Sequence, residues 1–102
     1  MAKQTGEKYL MENVVSPSHK VRVDADKFFA MKAAVLAALP TEAPGITPAE
    51  LRQKIAPILS QEHFPGGEKA GWWMKGVQLD LEFKGLVARG GTKPVRIYRV
   101  AT

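Results

Sequence analysis

A chain of 102 residues, 45% hydrophobic and 25% charged, carries enough apolar material for one small core and too much to stay unfolded. It has no cysteine, which excludes disulfides and thiolate metal sites, and no apolar run long enough to span a bilayer. The net charge of +5 is uneven: Phe83 to Thr102 holds Lys84, Arg89, Lys93, Arg96 and Arg99 and no acid, whereas the basic and acidic residues before it cancel.

The opening stretch MAKQTGEKYLMEN mixes charges and lacks the apolar segment of a signal peptide. Residues 1–12 are therefore expected as a flexible tail and 13–102 as a single domain, cytoplasmic in setting. Pro17 breaks any early helix, and the alternation from His19 to Val23 reads as a short strand. Asp24 and Asp26 then offer N-caps to a helix over 25–39, where Phe28, Met31, Val35 and Leu39 recur at helical spacing beside Phe29 and Leu36. Pro40 stops it. A second helix opens with Thr47 as N-cap, Pro48 in the first turn and Glu50 closing a capping box. Leu51, Ile55 and either Ile58 or Leu59 line its inner side. SQEHFPGG reads as a loop, and a third helix follows from Glu68 to Lys84, ended by Gly85. Leu86–Arg89 and Pro94–Val100 read as two strands around GGTK. The order is strand, helix, helix, helix, hairpin: mainly α with a small β-sheet, an α+β fold.

That order resembles the winged-helix variant of the helix-turn-helix. The likeness is carried by Leu81-Glu82-Phe83-Lys84-Gly85-Leu86-Val87, similar to the end of a recognition helix running into the wing. Pro94-Val95-Arg96-Ile97-Tyr98-Arg99-Val100 resembles the returning wing strand, and Gly45-Ile46-Thr47-Pro48-Ala49-Glu50-Leu51 the start of helix two. The resemblance covers roughly residues 25–101 and implies double-stranded DNA binding. The stretch Ser60–Lys69 departs from it, being longer than a tight helix-turn-helix turn. The chain is also similar to a family of small bacterial proteins without assigned activity. The residues shared with that family are Phe64-Pro65-Gly66-Gly67, Ala70-Gly71-Trp72-Trp73, Val77-Gln78-Leu79-Asp80-Leu81-Glu82 and Lys93-Pro94.

The third helix carries the candidate sites. At about 100° per residue, Ala70, Trp73, Met74, Val77 and Leu81 fall on one side and form the core stripe. Trp73 is structural on this count, its burial contributing about 2–3 kcal/mol. Glu68, Lys75, Gln78 and Glu82 form a polar strip, and Trp72, Gly76, Leu79 and Phe83 lie near the opposite side. A helix apolar on two faces needs a second cover. Tyr9–Val15 or the first strand folding back, a partner such as a second copy of the chain, or an aromatic ligand stacked on Trp72 would each supply it.

For DNA, the outward face offers Lys69, Lys75 and Gln78, opposed by Asp80 and Glu82, and no arginine lies on the helix. Arg89, Lys93, Arg96 and Arg99 on the wing suit phosphates, so salt-sensitive binding with limited sequence preference is expected. The alternative is a protein-interaction or homodimerisation module using Trp72, Leu79 and Phe83. No catalytic, cofactor or metal site is expected. His19 and His63 lie far apart in sequence, and Gly66-Gly67-Glu68-Lys69 lacks phosphate-loop spacing. Asp80 and Glu82 point about 200° from each other, so they cannot work as an acid–base pair.

Overall fold

The computed structural model describes residues 8–16, 18 and 20–100. It is an α+β arrangement of three helices and two small antiparallel sheets. The expected flexible tail ends earlier than residue 12, because Lys8–Met11 forms strand β1. It pairs antiparallel with β2, Val21–Asp24, in a register that sets Tyr9 opposite Val23 and Met11 opposite Val21. Tyr9 and Met11 find cover on the helices, Met11 being 7% exposed, while Leu10 between them faces outward. Pro17 and His19 lie outside the described residues.

Helix α1, Ala25–Ala38, starts where Asp24 accepts the Lys27 N–H at 3.2 Å, and ends before Pro40. Phe28, Met31 and Val35 are fully buried along one stripe. Phe29, at the stripe's margin, is half exposed and meets Phe28 and Tyr9 edge to face.

Helix α2, Pro48–Ile55, carries the full capping box: the Glu50 N–H donates to Thr47 Oγ1 (3.1 Å), and the Thr47 N–H donates to Glu50 Oε1 (2.9 Å). The Thr47 N–H bond holds the Glu50 carboxyl below its ordinary pKa. Leu51 and Ile55 point inward, and of the two candidates beyond them Leu59 is buried while Ile58 is exposed. Pro57 falls in a short 3-10 turn at Ala56–Ile58.

The connection to α3 is ordered and contributes to the core. Phe64 is fully buried and meets Trp73 edge to face at 5.9 Å, with the Lys27 ammonium 4.9 Å above its ring. A half-buried turn precedes it, in which Ser60 Oγ lies 3.1 Å from His63 Nδ1 and accepts the His63 N–H. His63 is thus held in a local turn by Ser60. Helix α3, Ala70–Phe83, begins two residues later than expected because Lys69 is left-handed (φ 58°) and cannot join a right-handed helix. It ends at Gly85 (φ 78°), with the Leu86 N–H reaching back to the Leu81 carbonyl at 2.9 Å.

Strands β3, Val87–Arg89, and β4, Ile97–Arg99, close the chain as an antiparallel pair. The far side of β4 is met by Ile46: the two residues exchange backbone hydrogen bonds with Ile97 at 2.9 and 2.8 Å. Gly45 makes this possible, since its φ is +91° and a Cβ there would lie 1.8 Å from the Ile97 carbonyl oxygen. The Arg99 N–H donates to the Pro40 carbonyl, so β4 also ties down the end of α1. Among the described residues, no helix is long and apolar enough to cross a membrane.

Candidate interaction surface

Helix α3 divides as its periodicity predicts on the core side. Ala70, Trp73, Met74, Val77 and Leu81 are all buried. Trp72 and Trp73 touch edge to face at 5.2 Å yet have opposite environments, 55% and 7% exposed.

The other side of α3 is covered by the N-terminal strand, but only along its C-terminal half. Asp80 is the clasp. Its Oδ1 accepts the Glu12 N–H at 2.8 Å and the Lys84 ammonium at 2.5 Å, and its Oδ2 accepts the Tyr9 hydroxyl at 3.1 Å. Lys84 also donates to the Tyr9 oxygen (2.7 Å) and lies 3.3 Å from Glu12. Tyr9 in turn stacks on Phe28, with ring centroids 3.8 Å apart. The expectation that Asp80 faces outward and repels phosphate is therefore corrected: it is fully buried. A carboxylate tolerates this when its oxygens are occupied by donors and a cation stands beside it, and β1 supplies what helix periodicity could not foresee. The clasp also shifts two titrations. Burial raises the Tyr9 phenol above its ordinary value, although Lys84 pulls the other way. Partial burial opposes the Lys84 charge, but its bonds to Asp80 and Tyr9 outweigh that and hold the ammonium well above the usual lysine range.

Toward the N-terminal half of α3 the strand and helix diverge, leaving a groove of about 380 Å³. Met11, Asn13 and Val21 form one wall and Trp72, Lys75 and Leu79 the other. Met11 lies directly against Gly76, where a Cβ would come within 2.6 Å of its terminal methyl. Of the three residues expected to need a cover, Leu79 receives one from this hairpin and is 8% exposed. Trp72 remains open, as does Phe83 at 41%.

The residues expected to contact DNA fare differently. Lys69 and Lys75 are exposed, have no ion-pair partner among the described residues, and flank Trp72 one helical turn to either side. Gln78, expected on the outward face, is 4% exposed and donates to Glu82 Oε2 at 2.9 Å, so it cannot reach a base edge in this arrangement. The same Glu82 receives Arg89 Nε at 2.6 Å. Arg96 approaches the Gly45 carbonyl (3.5 Å) and Glu50 (3.8 Å). Arg99 donates to the Leu36 carbonyl at 3.2 Å, where a cation complements the carbonyl end of α1. Of the four cations expected on a wing, Lys93 alone is exposed without an acceptor among the described residues. The C-terminal charge excess is thus largely turned toward the domain's own acceptors.

One further cation joins Trp72. A Cβ on Gly71 would meet Arg52 Nη1 at 2.7 Å, so the α2 guanidinium rests against the first turn of α3. Sequence reasoning missed Arg52; Met11 and Val21 lie in the two segments it offered as covers, Tyr9–Val15 and the first strand, without being singled out. The signal was the pair of glycines at 71 and 76 inside an otherwise strong helix, which marks close approach by a neighbour without saying which one.

The family model of DUF6958, a family of unknown function, matches residues 8–97. The chain belongs to that family. The match begins where β1 begins, so the strand that clasps α3 lies within the family's domain. No curated protein and no solved structure matches the chain.

Proposed function

We propose that this DUF6958 member is a non-enzymatic protein-interaction module that engages its partner through Trp72 and the groove beside it. The observation that carries the reading is a 55% exposed indole on a helix whose other large apolar side chains, Phe83 aside, are buried. Exposed aromatics of this kind, bordered by a polar rim, are favoured anchors of protein interfaces. Winged-helix topology is proposed with it, supported by the element order and by the Ile46–Ile97 bridge that adds a third strand segment to β3 and β4.

Double-stranded DNA binding is the second reading, favoured by exposed Lys69, Lys75 and Lys93, which have no ion-pair partner among the described residues, on a chain of net charge +5. It loses ground because Gln78 is buried and Arg89, Arg96 and Arg99 already face acceptors within the domain.

Gel retardation and affinity capture with the same variants separate the two. The interaction reading expects companion proteins, or a second copy detected by light scattering, to be held by wild type and by Lys93→Glu but lost with Trp72→Ala. Duplex retardation that falls steeply with salt, weakens on reversing Arg96 and Arg99 and ignores Trp72→Ala would transfer the conclusion to DNA.

A further inference from the structure

We infer that the groove between β1 and α3 takes an acidic segment of a partner protein, with an apolar side chain as its anchor. This rests on the interaction reading and names the partner's chemistry.

Two observations combine. The groove has an apolar lining of Met11, Val21 and Leu79 beside Glu12, Asn13 and Lys75, and Trp72 borders it with half its surface exposed. An aliphatic or aromatic side chain fits such a slot and buries more of the indole on entry.

The rim is cationic. Lys75 lines the groove, Lys69 borders the adjoining hollow at Trp72, and Arg52 reaches Gly71 from the α2 side; none of the three has an ion-pair partner among the described residues. Glu12 lines the groove itself, but its carboxylate is already matched by Lys84 at 3.3 Å and Lys20 at 3.8 Å. Glu68 is exposed at the start of α3 and leaves the three cations in excess. A basic segment would therefore meet like charge on approach. An acidic one gains in encounter rate and in selectivity over neutral competitors.

A random peptide library displayed on phage, panned against the immobilised full chain, tests this without presupposing a sequence. Selected peptides are then synthesised and titrated by fluorescence anisotropy against wild type, Trp72→Ala, and the double reversal Lys69→Glu with Lys75→Glu. Far-UV circular dichroism confirms that each variant is folded, and oligo(dT) is titrated in parallel. The expected peptides carry an apolar residue flanked by Asp or Glu. They weaken roughly thirtyfold on Trp72→Ala and about tenfold on the double reversal, less so at high salt. Peptides that need Trp72 but are neutral or basic would overturn the acidic assignment and leave the interaction reading standing. A library yielding no Trp72-dependent peptide would overturn both. Trp72-dependent binding of oligo(dT) in place of peptide would assign the surface to single-stranded nucleic acid instead.

Discussion

The two ends of helix α3 meet the same N-terminal strand and are treated differently by it. At the C-terminal end, Asp80 gathers a backbone N–H, a hydroxyl and an ammonium, and the strand is bound to the helix through polar contacts. At the N-terminal end, Met11 rests on Gly76 and Trp72 is left 55% exposed. A surface that is closed at one end and open at the other is what a rigidly held binding groove requires. The clasp fixes the strand's position, so the open end is shaped before any partner arrives.

The sharpest contrast is between adjacent residues. Trp73→Ala should destabilise the fold by about 3–5 kcal/mol, because it removes a buried ring packed on Phe64. Trp72→Ala should change stability by no more than about 0.5 kcal/mol, as expected of a surface site. Urea titration of both variants checks the difference, and comparable losses would erase the distinction between core and contact indole.

Asp80→Ala comes next. It strands the Tyr9 hydroxyl and the Glu12 N–H and removes the partner of Lys84, and it should cost roughly 3 kcal/mol. Amide hydrogen exchange would show where the cost falls. Protection should be lost in Lys8–Met11 before it is lost in α1 or α2.

The clasp also sets an alkaline limit. Tyr9 and Lys84 both hold their protons more tightly in the folded chain than in the unfolded one. Their contribution is therefore complete below the unfolded values of about 10, and it declines as pH rises beyond them. Melting temperatures measured across that range should fall, and should fall less steeply in a Tyr9→Phe, Lys84→Met variant.

Gly76→Ala is the finest probe. Helix propensity favours alanine by about 1 kcal/mol, while the new methyl must displace the flexible end of Met11. Net stability should move by less than about 1 kcal/mol in urea titration. Peptide affinity, in contrast, should change, because Met11 is pushed into the groove.

Much of this was legible in the residues. The α1 stripe, the Thr47–Glu50 capping box, the stop at Gly85 and the burial of Trp73 all follow from local periodicity and capping chemistry, which act within a few residues. Phe64 was read as loop because its burial depends on Trp73 across an irregular turn. Gln78 and Asp80 were read as outward because a helical wheel knows the angle of a side chain but not what stands opposite it. The C-terminal arginines read as a basic surface because a charge count does not show that Glu82, Glu50 and the Leu36 carbonyl lie within reach.

By itself the sequence determined the three helices, most of their ends and the apolar stripe of each, since those depend on backbone propensity and on apolar spacing along one element. Tertiary structure alone decided that residues 8–12 return across α3, that Asp80 can be buried charged, and that Trp72 is left beside a groove. Those outcomes depend on contacts between residues some seventy positions apart, which no local pattern encodes.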